Sequence, residues 1–196
     1  LGTKYHSIEP RAAINFRLCD KASLKVSYTE MSQFMHQLSA TYLNLPTDYW
    51  VPSTARIIPM KARQYAVGVY TQLPYNIRWS VEGFYKTMDN LIEYDGNSGM
   101  LNPMADRWEE EVRTGKGKAY GMETDLRYTN GKTSVDASYT LSWSKRFFPD
   151  FHSSWYPDKF DNRHRFSVNI SHKFNERIDV YASWNYHSGN RMTIPT

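Results

Sequence analysis

Apolar and polar residues alternate with a period of two through most of the chain. In the first run, residues 11–18, the side chains of Ala12, Ile14 and Phe16 share one face, and polar residues occupy the other. Because successive side chains of a strand point to opposite faces, such a run predicts an amphipathic β-strand. Residues 104–113 suit at most one short helical turn. Seven further runs have the same alternation, at residues 24–29, 64–71, 77–86, 120–128, 135–143, 166–174 and 178–187.

The connections between the eight runs alternate strictly in length. Short turns near residues 20, 75, 130 and 175 follow the odd-numbered runs, and Asn130-Gly131 is the strongest hairpin signal among them. Long connections follow the even-numbered runs, at about residues 33–61, 95–116 and 146–162. The second and fourth runs are expected to continue towards Phe34 and Tyr94. The chain therefore reads as an up-and-down antiparallel meander.

The strand lengths and the polar face favour a membrane barrel over a soluble sheet. A tilted membrane-spanning strand needs about 9–11 residues, whereas soluble strands average about 5–6. We therefore expect an all-β segment of a large transmembrane β-barrel with a wide, wet lumen. Its turns should lie at the periplasmic rim, and its loops near residues 47, 106 and 154 outside the cell. The polar face carries Lys25, Arg78, Glu82, Glu123, Asp125, Arg127, Asp136 and Lys173.

One consequence of the period-two pattern is directly checkable in a structure. The residues Leu24, Val26, Val67, Val81, Leu126, Leu141, Val168 and Val180 should share one face of a single sheet. The opposite face should carry Lys25, Glu82, Asp125 and Asp136.

Composition narrows the function classes further. Aromatic residues make up 15% of the chain, which suits strands, membrane-interface girdles or carbohydrate-binding surfaces. The net charge is +4 with both signs interspersed, so no nucleic-acid patch is predicted. Cys19 is the only cysteine, which excludes an intrachain disulfide and a cysteine-based metal site.

Several short segments carry a resemblance to a known family. In order and spacing, the chain resembles the C-terminal barrel portion of TonB-dependent outer-membrane receptors, particularly those of Bacteroidota-type bacteria. The segments are Glu9-Pro10-Arg11, Ser27-Tyr28 with Met31-Ser32-Gln33, Leu45-Pro46-Thr47-Asp48, Trp50-Val51-Pro52-Ser53, Gln64-Tyr65-Ala66-Val67-Gly68, Ser80-Val81-Glu82-Gly83-Phe84-Tyr85-Lys86, Gly115-Lys116-Gly117, Tyr120-Gly121-Met122-Glu123, Tyr139-Thr140-Leu141-Ser142-Trp143 and Asp161-Asn162-Arg163-His164.

The resemblance implies a 22-stranded barrel that is plugged by an N-terminal globular domain and lies in the bacterial outer membrane. Such receptors import metal chelates, cobalamin or oligosaccharides with energy passed from an inner-membrane complex. The implied partners are outer-membrane lipid, the ligand, the plug and the energy-coupling protein. Compared with that whole, we expect no plug within residues 1–196, about eight strands, and no terminal aromatic strand at Ile194-Pro195-Thr196. We therefore expect residues 1–196 to be a partial barrel.

Ligand contacts in such a protein are expected on the long loops and on the upper strand ends. Aromatic side chains there can stack on a sugar or a chelate, although loop packing or an interface girdle also accounts for them. The candidates are Tyr49, Trp50, Trp108, Trp155 and Tyr156.

Signals for metal binding and catalysis are weaker. The side chains of Met31, Met35 and His36 are of the types that bind haem or a metal ion, but an ordinary strand end that enters a loop also explains them. The carboxylate clusters Glu109-Glu110-Glu111 and Asp158/Asp161 suit charged external loops. With no Ser-His-Asp arrangement or phosphate-binding glycine loop, we expect no enzyme, no cofactor and no metal.

Two other interpretations remain open from the sequence. The chain is alternatively a complete, small eight-stranded outer-membrane protein with a structural or adhesive role, or a soluble carbohydrate-binding β-domain.

Overall fold

A computed structural model describes residues 3–38, 49–95 and 108–189. Within these ranges the chain forms eleven β-strands and one 3₁₀ turn, Trp108–Glu110, which falls in the stretch predicted to suit a helical turn. No helix within them is long and apolar enough to cross a bilayer. The strands are β1 Arg11–Cys19, β2 Ala22–Gln33, β3 Met35–Leu38, β4 Tyr49–Pro52, β5 Met60–Leu73, β6 Ile77–Tyr94, β7 Val112–Asn130, β8 Thr133–Phe147, β9 Tyr156–Pro157, β10 His164–Asn175 and β11 Ile178–His187.

Eight of these strands form one antiparallel meander, which confirms the predicted fold class. Their order in the sheet is β1-β2-β5-β6-β7-β8-β10-β11, and the short strand β9 pairs with β8. Strands β3 and β4 form a separate hairpin inside the first long connection. Among the described residues, β1 and β11 each pair with a single neighbour, so the meander is an open sheet there.

The register separates apolar from polar side chains as predicted. Directly opposed residues share a face of an antiparallel sheet, and Val67 opposes Val26 while Val69 opposes Val81. We call this side the apolar face. The opposite side, the polar face, includes the opposed residues Glu82 and Glu123. All twelve residues named in the checkable prediction, eight on one face and four on the other, obey this division.

An aromatic row crosses five adjacent strands on the apolar face. Its members are consecutive cross-strand partners, and Tyr120 stacks on Trp143 with ring centroids 5.5 Å apart. On each strand, the apolar face is uncharged on the turn side of this row and carries its charges on the loop side. Such a border is typical of a membrane–water interface. The row consists of Tyr28, Tyr65, Tyr85, Tyr120 and Trp143.

Strand β7 begins earlier than the sequence pattern indicated. It starts at Val112, so Gly115 lies inside a strand and not in the connection predicted to run to residue 116. A Cβ on Gly115 would lie 2.6 Å from the Phe147 carbonyl oxygen and from the Phe148 ring. Glycine here permits close packing of the loop, and it does not mark a flexible segment.

The first long connection also contains more structure than expected. The β3–β4 hairpin packs against the loop-side ends of β6 and β7, where Leu38, Val51, Ile57 and Val112 form a buried cluster. We call these four residues the loop cluster.

The Asn130-Gly131 hairpin is present but is displaced by one residue. Asn130 pairs with Thr133, which leaves Gly131 and Lys132 as the two loop residues. Gly131 has φ +49°, a conformation that glycine adopts without a steric penalty.

Candidate ligand-binding surface

The loop of residues 148–163 is packed against the loop-side end of the sheet. Phe148 is fully buried and its ring lies 5.9 Å from that of Phe151. The amides of Phe151 and His152 donate to the Phe148 carbonyl oxygen at 3.0 and 2.9 Å. The Phe148 side chain occupies the space that the missing side chain of Gly115 leaves open. This packing positions the polar residues that follow it.

Tyr156 faces the polar side of the sheet. It opposes Arg146 in the β8–β9 pair, and its hydroxyl donates to Glu93 Oε2 at 3.2 Å. Arg146 Nη1 lies 3.7 Å from the same carboxylate oxygen. Burial and the neighbouring Glu93 carboxylate raise the pKa of the Tyr156 phenol, so this group is a neutral hydrogen-bond donor at pH 7.

Two buried carboxylates continue this arrangement. Asp158 Oδ2 lies 3.0 Å from Arg146 Nε and accepts a hydrogen bond from Ser144 Oγ at 3.2 Å. Asp161 accepts from the Ser144 amide at 2.9 Å and from Arg163 Nη2 at 2.8 Å. Asp158 is held to β8 by Arg146 and Ser144, and Asp161 is held to β8 by the Ser144 amide, so the two acids anchor the loop to this strand. We call Glu93, Arg146, Tyr156 and Asp158 the Arg146 network.

The structure separates the other aromatic candidates. Trp155 adjoins Tyr156 but lies on the apolar face, with its ring 5.6 Å from Phe147 and 4.1 Å from Lys118 Nζ. Trp50 is 56% exposed on the β3–β4 hairpin, and Trp108 packs against the loop cluster. Tyr49 begins β4, and its side chain lies outside what the structure describes. Of the described candidates, Tyr156 is the one placed in a polar network on the polar face.

The three residues considered for metal binding lie in different environments. His36 is fully buried, with Nε2 2.9 Å from Ser53 Oγ, and burial lowers its pKa. Met31 and Met35 are exposed. Across residues 3–38, 49–95 and 108–189, no three His, Cys, Asp or Glu side chains are grouped so as to hold a metal ion. In the acidic run of the second loop, Glu110 Oε1 pairs with Arg56 Nη1 at 3.2 Å.

A polar cavity of about 620 Å³ lies on the polar face near the turns. Arg17, Arg78, Asp125, Arg127 and Asp136 contribute to its lining, and Arg127 forms an ion pair with Asp136. Such a lining suits water or a polar partner, as expected for the lumen of a large barrel.

The sequence pattern did not single out Glu93 and Arg146, the central pair of the Arg146 network. Glu93 lies in the expected extension of the fourth run, and Arg146 lies past the end of the sixth run. Continuing the alternation of β8 from Ser142 and Ser144 by one step would have placed Arg146 on the polar face.

Comparison with known proteins agrees with this geometry. A family model described as "TonB dependent receptor-like, beta-barrel" matches residues 2–194. No curated protein matches the chain. The solved structure of the alcaligin outer membrane receptor FauA from Bordetella pertussis is similar in fold, with a TM-score of 0.59 and 17% sequence identity. The match covers 92% of this chain and 29% of the FauA chain. The chain therefore belongs to the TonB-dependent receptor β-barrel family, a family of receptors and not of enzymes, and its location is the bacterial outer membrane.

Proposed function

We propose that residues 1–196 form part of the barrel wall of a receptor that imports a scarce nutrient, namely a metal chelate, cobalamin or an oligosaccharide. The main support is the division of the sheet into an apolar face bordered by aromatic residues and a strongly charged polar face. A wall with lipid on one side and water on the other requires this division. Because the chain spans 29% of the FauA chain, the remaining wall belongs to other segments of the receptor in this proposal.

The proposed ligand surface is the loop end of the polar face. Tyr156 offers a neutral phenol next to the charged groups Glu93 and Arg146, a combination that suits the hydroxyl and carboxylate groups of sugars and chelates. Tyr49, Trp50 and Trp108 remain proposed ligand contacts on the neighbouring loops, whereas Trp155 lies on the apolar face and is not part of this surface. A plug domain and an energy-coupling protein, reached through an N-terminal part, are the proposed protein partners.

The test is nutrient-limited growth of a bacterium from which the full-length receptor gene has been deleted. Growth should fail on one of three sole sources, an iron chelate, cobalamin or an oligosaccharide, and the wild-type gene should restore it. In the purified receptor, Tyr156→Ala should weaken binding of that nutrient. Phe160→Ala, which removes an exposed aromatic side chain of the same loop that is not a proposed ligand contact, should leave binding unchanged.

Normal growth of the deletion strain on all three sources, with no uptake lost, would refute the import role. Normal binding by the Tyr156→Ala receptor would refute the proposed ligand surface while leaving import intact.

A further inference from the structure

Three lysines lie together on the apolar face, on the loop side of the aromatic row. Lys118 and Lys145 are directly opposed on β7 and β8, and Lys116 opposes Phe147 one step further on. Like charges that are directly opposed destabilise a sheet unless a counter-charge is present. We call Lys116, Lys118 and Lys145 the lysine cluster.

The cations on the neighbouring strands are neutralised differently. Lys61 forms an ion pair with Glu30, and Arg63 lies 3.3 Å from Glu30 and 3.2 Å from Asp89. Within the described ranges, no residue of the lysine cluster lies in salt-bridge distance of a carboxylate. The sheet therefore presents uncompensated positive charge at β7 and β8, and an external anion can supply the counter-charge.

The position of the lysine cluster matches the headgroup region of the outer leaflet. Twelve residues separate Lys118 from Asn130 at the turn end of β7. At about 3.4 Å per residue this is about 40 Å of strand, or about 30 Å along the membrane normal at a tilt of about 40°. Tyr120 and Trp143 lie one step towards the turns from Lys118 and Lys145, as interface residues do.

An apolar groove of about 780 Å³ begins at the aromatic row and runs towards the turns. Val67, Gly83, Met122 and Leu141 are part of its lining, and Val67 and Met122 are the cross-strand partners of Gly83. A Cβ on Gly83 would meet nothing closer than 3.9 Å, so the missing side chain leaves a depression in the surface. The groove provides space for an acyl chain next to the lysine cluster.

We propose that the lysine cluster and this groove together bind a phosphate-bearing lipid of the outer leaflet. The phosphate lies between Lys118 and Lys145, and an acyl chain lies along Gly83. Trp155, whose ring is 4.1 Å from Lys118 Nζ, limits the movement of that lysine and covers one side of the site. This site is independent of nutrient import, since it lies on the opposite face from the Arg146 network.

The test uses the full-length receptor in phosphatidylcholine nanodiscs that contain phosphorylated lipid A or the same lipid after removal of its phosphates. Native mass spectrometry counts the lipid A that remains bound. The wild-type receptor should retain the phosphorylated form preferentially. Each lysine near a membrane surface contributes roughly a five-fold effect, so Lys118→Gln with Lys145→Gln should reduce retention about 25-fold.

Lys86→Gln is the matched control, because Lys86 pairs with Ala119 and is therefore on the polar face at the same level. It should leave retention unchanged. Equal retention of both lipid forms by the wild-type receptor would overturn the proposal without any variant. Loss of retention in Lys86→Gln equal to that in the double variant, or full displacement of lipid A by millimolar inorganic phosphate, would also overturn it.

Discussion

Asp158→Asn removes the charge that connects the 148–163 loop to β8. The substitution retains the shape of the side chain and removes the negative charge that faces Arg146 Nε at 3.0 Å. It also leaves one acceptor oxygen where the carboxylate accepts from Ser144 Oγ on one oxygen and from the Phe160 amide on the other. The two side chains are 9% and 21% exposed. Removing one partner of a buried ion pair costs about 3–5 kcal/mol, whereas an exposed pair contributes about 0.2–1 kcal/mol, so the expected loss for this partly buried pair is about 2 kcal/mol.

Such a loss should increase the opening equilibrium of the loop about 30-fold. Amide hydrogen exchange of the full-length receptor in nanodiscs measures this opening equilibrium. The reporter is the Asp161 amide, which donates to the Asp158 carbonyl oxygen at 2.9 Å. Amides of the Gly131 turn, at the other end of the sheet, should exchange as before. Asp150→Asn is the matched control, since Asp150 is exposed in the same loop.

Arg146→Gln provides a second check by a double-mutant cycle. Because it removes the other partner of the same ion pair, the double variant should lose less protection than the sum of the two single variants. Unchanged exchange in Asp158→Asn, or an equal change in Asp150→Asn, would refute the anchoring role.

Three further predictions concern packing and pH. Gly121→Ala should destabilise the refolded receptor by about 1–3 kcal/mol in urea titrations, because its Cβ would overlap the Leu141 carbonyl oxygen. Gly83→Ala is the control and should change stability by less than about 0.5 kcal/mol. Equal effects of the two variants would contradict the close approach of Gly121 to Leu141. Phe148→Ala should cost about 3–5 kcal/mol of local stability, seen as faster amide exchange in the 148–163 loop with unchanged exchange in β1. Burial lowers the pKa of His36 below its value of about 6.5 in the unfolded hairpin, so the unfolded form binds more protons below that pH. The protection of the β3–β4 amides against exchange should therefore fall between pH 7.5 and pH 5.5. Protection that does not change with pH would contradict this expectation.

The sequence by itself determined the meander and its two faces. Lipid contacts one face of each strand and water the other, so Val67 and Glu82 had to alternate with residues of the opposite character. The alternation of short and long connections then set the strand directions. These are local properties, because each depends on residues adjacent in the chain.

Only the tertiary structure decided the strand ends and the surroundings of the candidate residues. Gly115 belongs to a strand because it pairs with Leu91 of β6, and Phe148, distant in sequence, packs against it. Tyr156 and Trp155 are adjacent in the chain, yet the pairing of β9 with β8 places them on opposite faces. The hydrogen-bond partner of Tyr156 is Glu93, which is 63 residues away in the chain. A pattern of neighbouring residues cannot predict a contact across that separation. Contacts between separate strands depend on how the strands associate, and that association is a property of the folded sheet.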